Sequence, residues 1–186
     1  MLVKFLAPAM VTGLLLSATA PTQAAAQAAA PATDSSFIQT AASLGLLQAK
    51  LGKLAADKAT SPSVKEFGRR MVDDYAKVNE QLAEGAKQAA YPAPVLLREH
   101  KLTYDRVARS GRSSFDKNYM AEVVNQYDAA VQLFQQESER GKVASLKALA
   151  ATLLPTVHQH LDLATQTAQS VGADVTATAA GERQGS

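Results

Sequence analysis

Three histidines, His100, His158 and His160, are the only imidazoles in the chain, and metal or acid–base chemistry would have to start from them. A carboxylate-bridged di-iron centre in a helical bundle uses four inward glutamates and two Glu-x-x-His pairs, because residues three apart share a helix face. No Glu-x-x-His is present: Leu97, Pro155 and Val157 stand three residues before the three histidines. His158 and His160 are two apart, so on a helix they point to different sides and do not chelate together. There is no Gly-rich phosphate loop and no G-x-S-x-G elbow. There is no cysteine either, which excludes a thiolate zinc site, a cysteine nucleophile and a disulfide.

What is left is a weak set. Gln48, Tyr75, Tyr127 and His160 each fall on an apolar stripe, and Asp73, Asp74 and Glu137 fall at stripe edges. Read as a metal site, Asp74, Glu137 and His160 would be the ligands, and Gln48 would be a poor, neutral one. Read as structure, Gln48 is a core amide hydrogen-bonded to Tyr75, Tyr127 or His160, because buried polar groups satisfy one another. The tyrosines are then amphipathic core fillers, and the carboxylates are solvated on helix flanks. The structural reading is the expectation: a core polar cluster of Gln48, Tyr75, Tyr127 and His160, no catalytic residue, no metal and no cofactor.

Holding these residues together needs long helices, and the best specified runs from Ser61 to Leu82. Ser61 can cap it and Pro62 suits the first helical position. Val64, Phe67, Met71, Tyr75, Val78 and Leu82 then recur at spacings of three and four. A preceding helix from Asp34, Ser35 or Ser36 to about Ala59 carries Phe37, Ala41, Leu44, Gln48, Leu51 and Ala55. Its Gly45 and Gly52 suit a close helix approach. The turn between the two is so short that they must be antiparallel. Tyr91-Pro92-Ala93-Pro94 ends the second helix.

A short helix from Val95 to about Arg109 carries Leu97, His100, Tyr104 and Val107. Ser113 and Asp116 resemble a capping box for the next, which runs from Ser114 to Arg140 with Phe115, Tyr119, Val123, Tyr127, Ala130 and Phe134 as its stripe. Gly141 is a natural residue to follow it. The last helix, from about Ala144 to Val171, presents Leu146, Leu149 or Ala150, Leu153, Val157, His160 or Leu161, and Ala164. Pro155 should kink it. Val64-Lys65-x-Phe67-Gly68-x-x-Met71 repeats as Leu146-Lys147-x-Leu149-Ala150-x-x-Leu153. The expected architecture is therefore all-α: a ferritin-like four-helix bundle of two antiparallel pairs joined by a short crossover helix.

Met1 to about Ala26 reads as a secretory signal peptide. Lys4 precedes an apolar run, and small residues at Ala24 to Ala26 offer a cleavage site. Residues 27–34 read as a flexible linker, 35–171 as the bundle domain, and 172–186 as a disordered tail. Of the 186 residues, 19 are basic and 17 acidic. Removing the leader takes away only Lys4. Such balance does not suit a nucleic-acid binder, which shows a basic face. Arg69-Arg70, Arg106, Arg109 and Arg112 read as solvated.

The motifs Leu51-Gly52-Lys53-Leu54-Ala55, Ser61-Pro62-Ser63-Val64-Lys65-x-Phe67, Met71-Val72-Asp73-Asp74, Phe115-Asp116-Lys117-x-Tyr119-Met120 and Leu154-Pro155-Thr156 ahead of His160-Leu161 carry a resemblance. The run from Phe37 to about Val171 resembles the bacterial domain-of-unknown-function family 4142. The resemblance implies an exported ferritin-like domain and no established activity. Members of that family commonly have an acid at the position of Gln48, and histidines at the positions of Tyr75 and Tyr127; only His160 matches. If those positions form a metal centre in the family, most of it has been replaced here.

The functional expectation is a non-enzymatic structural or binding module of the bacterial envelope, in the periplasm or associated with the outer membrane. No membrane span is expected after signal cleavage, and the partner would be an envelope protein or a second copy in a weak homo-oligomer. The alternative is a ferritin-like metal-binding protein or oxidase with a degenerate site.

Overall fold

A computed structural model of the chain describes residues 32–175. The signal peptide, most of the linker, and residues 176–186 lie outside the described residues. The described part is all-helical: α1 (Ala32–Lys58), α2 (Pro62–Gln88), α3 (Arg98–Ala108), α4 (Phe115–Arg140) and α5 (Ala144–Ser170). No helix among the described residues is long and apolar enough to cross a membrane.

Two tight turns set the architecture. Residues 59–61 join α1 to α2 and residues 141–143 join α4 to α5, so each pair runs antiparallel. α1 packs on α2 and α4, and α5 packs on α4 and α2, which closes a ring of four; α3 lies across α1 and α4. The apolar stripes face inward as their periodicity requires. Phe37, Ala41, Leu44, Leu51 and Ala55 of α1, and Val64, Phe67, Met71, Tyr75, Val78 and Leu82 of α2, are all buried. So are Phe115, Tyr119, Val123, Tyr127, Ala130 and Phe134 of α4, and Leu146, Ala150, Leu153, Val157 and Ala164 of α5. The repeated motif opens the second helix of each pair. Aromatic contacts close both ends: Phe37 meets Phe134 edge-on at 5.2 Å, while Phe115 stacks on Tyr119 at 5.8 Å.

The close approach expected of Gly52 is made with Gly68. A Cβ on Gly52 would come within 2.7 Å of the Gly68 carbonyl oxygen. The helices touch there through their backbones.

The helix starts differ from the sequence expectations in one consistent way: carboxylates of other helices hold the turn amides just before them. Ser61 occupies the N-cap position of α2 with Pro62 after it, but its hydroxyl makes no capping bond. It pairs with Ser63 Oγ at 2.8 Å. Asp116 of α4 instead accepts from Ser61 N at 2.8 Å, from Thr60 N at 3.0 Å and from Thr60 Oγ1 at 2.6 Å. Asp116 is thereby taken from the capping box proposed with Ser113; three donors across the interface outweigh one donor on its own helix. Asp34, expected to cap α1 or end the linker, lies inside α1, which begins at Ala32. Its Oδ1 accepts from Lys142 N at 2.7 Å and Val143 N at 2.9 Å, the two turn amides just before α5, whose own N-cap residue Val143 has no side-chain acceptor.

Gly141 follows α4 as expected, but with φ −53° it does not use the left-handed conformation. Space is what it supplies: a Cβ would meet the Glu137 side chain at 2.5 Å. α5 continues through Pro155. Of the tail expected to be disordered from Gly172, Ala173 and Val175 pack against the core.

Ser43 Oγ accepts from Leu97 N at 2.8 Å and lies 2.6 Å from His100 Nδ1. Burial lowers the His100 pKa, the charge of Glu99 opposing it, so a neutral ring accepting the Ser43 proton fits. His100 is a pin between α3 and α1.

Candidate functional site

Four helices each send one polar residue to the middle of the bundle: Gln48 from α1, Tyr75 from α2, Tyr127 from α4 and His160 from α5. Their level follows from the register. Gly52 faces Gly68, and Gly45 faces Asn79, so Gln48 sits between, level with Met71 to Tyr75. The His160 ring lies 5.5 Å from the Tyr75 ring and 5.6 Å from the Tyr127 ring, centroid to centroid.

His160 is 3% exposed. Its Nε2 is 2.9 Å from Asp74 Oδ2, and Asp74 also meets Arg70 Nε at 3.4 Å. Burial lowers the His160 pKa; the hydrogen bond and charge of Asp74 oppose it without reversing it. A neutral ring with the proton on Nε2, donated to Asp74, satisfies both observations. That leaves Nδ1 as a buried acceptor with no partner in the protein.

The phenols are held protonated. Burial raises the pKa of Tyr75 and of Tyr127 well above the ordinary phenol value. Tyr127 donates to Met71 Sδ at 2.9 Å, a weak acceptor.

Gln48 is 0% exposed, yet neither its Oε1 nor its Nε2 has a partner in the protein. The expected hydrogen bond to Tyr75, Tyr127 or His160 is not made. The Tyr127 hydroxyl is turned to Met71, and the His160 proton is taken by Asp74. A buried unpaired amide costs free energy that an apolar side chain of similar size does not. Gln48→Met is therefore expected to stabilise the protein by about 1–2 kcal/mol, read as a higher urea midpoint at unchanged slope. A loss of stability instead would mean that the amide is satisfied in solution.

The alternative ligand trio is not assembled. Asp74 and His160 are together, but Glu137 stands ten residues beyond Tyr127 on α4, about 15 Å along the axis. Among the described residues no group of three or more His, Cys, Asp or Glu side chains converges as a metal site. Glu137 is also not the solvated carboxylate expected at a stripe edge: it is 4% exposed. The spacing Ala130, Phe134, Glu137 continues the stripe, and that was the available signal. Asp73 is exposed, as expected.

Met71 is the residue sequence reasoning left out of the cluster, since a methionine on an apolar stripe looks like ordinary core. Beside the cluster, Leu44, Tyr75, Phe134 and Leu153 line a cavity of about 10 Å³. That is room for one water-sized group and for no substrate.

The fold and the centre together define an all-helical bundle whose apolar interior is interrupted at one level by an amide, two phenols and an imidazole–carboxylate pair. The chain belongs to the family described as Domain of unknown function (DUF4142), whose family model matches residues 19–167. No curated protein matches it. Among solved structures it is similar to CopM in the Cu(II)-bound form, with a TM-score of 0.59, 17% identity, and coverage of 74% of this chain and 96% of that one. At that identity the likeness is one of fold.

Proposed function

We propose that the mature chain is an exported, non-enzymatic module of the bacterial envelope, ferritin-like in plan, which braces or binds another envelope component. The observation that carries this reading is the centre itself. A catalytic bundle needs an open position and convergent ligands. Here the middle is filled by Tyr75, Tyr127 and Met71 around a sealed His160. Residues 1–26, as a signal peptide, support export. The test is fractionation of the native host with a tag at the carboxyl end. The shortened chain is expected outside the cytoplasm, and an uncleaved cytoplasmic chain would defeat the proposal.

A second reading, a metal-binding protein with a reduced site, is favoured by one observation: the unpartnered Nδ1 of His160, its ring oriented by Asp74 in the manner of metal-bound histidines. The likeness to Cu(II)-bound CopM is compatible with it. The donor set fits poorly, however. Cu(II) favours several nitrogen and oxygen ligands in a tetragonal array, and one imidazole beside a neutral amide and a thioether does not supply them. Added copper at a hundredfold excess over its Kd would stabilise a binding protein by about 2.7 kcal/mol. We expect no such rise in Tm. A rise that disappears in His160→Ala would favour the second reading.

A further inference from the structure

We propose that Asp34 and Glu137 form a proton-sharing latch that fastens the α4–α5 turn to the start of α1 and slackens as pH rises toward neutrality. The two carboxyls come from different helices and bracket the same turn, Asp34 Oδ1 on the Lys142 and Val143 amides and Glu137 Oε1 against Gly141, and the charge of Asp34 acts on Glu137. Both side chains are buried. Asp34 Oδ1 is occupied by the Lys142 and Val143 N–H groups, at 2.7 and 2.9 Å. Those donors favour the ionised form of Asp34. Glu137 has no such donors: its Oε1 is buried without a partner, pressed against Gly141. Two carboxylates cannot both be charged in contact and out of water, so one proton must be shared, and it belongs on Glu137.

The surrounding charges agree. Burial raises the Asp34 pKa, but the backbone bonds from Val143 and Lys142 and the Glu137 side chain outweigh it and hold Asp34 below the ordinary value. Burial, then the hydrogen bond and charge of Asp34, push Glu137 up to about 7, with Lys147 of α5 partly offsetting them. From the α2–α3 connection the Tyr91 phenol faces the pair; burial and the two carboxyls raise its pKa, so it stays neutral. Glu139, Arg140 and Lys142 line the adjoining cleft of about 640 Å³ with Glu137, on its solvent side. Lys147 Nζ is also tied to Glu139 O at 2.9 Å.

Glu137 has a raised folded pKa, so its contribution is complete below the ordinary carboxylate value and is lost as pH rises to about 7. Asp34 has a depressed one, so its contribution is present above the ordinary value and lost only in stronger acid. The latch is tightest in mild acid, between those limits.

Amide exchange of Lys142 and Val143 reads the latch directly, because Asp34 holds their N–H groups. In the full mature chain, their protection, corrected for intrinsic exchange, is expected to fall by up to about tenfold per pH unit from the ordinary carboxylate range to pH 7, then to level off. Glu137→Gln keeps a donor toward Asp34 without a charge, and should hold the acid-level protection at every pH. Carbon-13 titration of the Glu137 carboxyl in the unaltered protein is the second measurement, with a midpoint near 7 expected. A flat wild-type exchange profile, a pH dependence that survives in Glu137→Gln, or a Glu137 midpoint in the ordinary carboxylate range would each overturn the proposal.

Discussion

Replacing Gly68 with valine is expected to destabilise the protein by about 3 kcal/mol or more, a large share of a typical domain's 5–15 kcal/mol. A Cβ at Gly68 would lie 2.6 Å from the Gly52 carbonyl oxygen, 2.9 Å from Ala55 Cβ and 2.9 Å from the Ala56 backbone nitrogen. Two of these are backbone atoms of α1, so no side-chain rotation relieves the clash. α1 itself must retreat, taking Leu51 and Ala55 out of their packing. Overpacked cores usually lose about 1–3 kcal/mol, and valine adds two methyl groups beyond the offending Cβ. Alanine gains about 1 kcal/mol of helix propensity over glycine, so Gly68→Ala should fall between the two. Urea unfolding should rank the midpoints glycine, alanine, valine from highest to lowest. A valine variant as stable as the original chain would mean that α1 and α2 do not meet backbone to backbone.

Truncating Tyr127 to alanine should cost a further-reaching amount, about 3–5 kcal/mol, because a fully buried ring is removed from a packed level. That ring lies 5.6 Å from the His160 ring and carries the hydroxyl that reaches Met71 Sδ. Tyr127→Phe is the informative partner. It removes only a hydroxyl that donates to a thioether, so about 1 kcal/mol or less is expected. A large loss in both variants would assign the weight to the hydroxyl and not to the ring, and the filled-centre reading would fail.

The stripes of α1, α2, α4 and α5 were legible because burial of one helix face imposes a period that a single sequence displays. The two tight turns then set the register, which brings the rings of Tyr75, Tyr127 and His160 to one level. The caps were not legible. Asp34 and Asp116 serve α5 and the α1–α2 turn, residues far along the chain, and a local motif such as Ser61-Pro62 cannot announce that its donors are satisfied by another helix. The partners of Gln48 were misjudged for a related reason. Which acceptor a buried hydroxyl chooses depends on fractions of an ångström, and Met71 Sδ was closer to hand than the amide. A carboxylate at a stripe edge is ordinarily solvated, but Glu137 continues the buried spacing of Ala130 and Phe134 and so faces inward.

Metal content of the protein recovered from its native compartment bears most directly on the filled centre. The mature chain and its His160→Ala variant, isolated without added metal or chelator, should both carry copper, iron, manganese and zinc far below one per protomer, with no difference between them. One transition-metal ion per protomer, lost in His160→Ala, would contradict it.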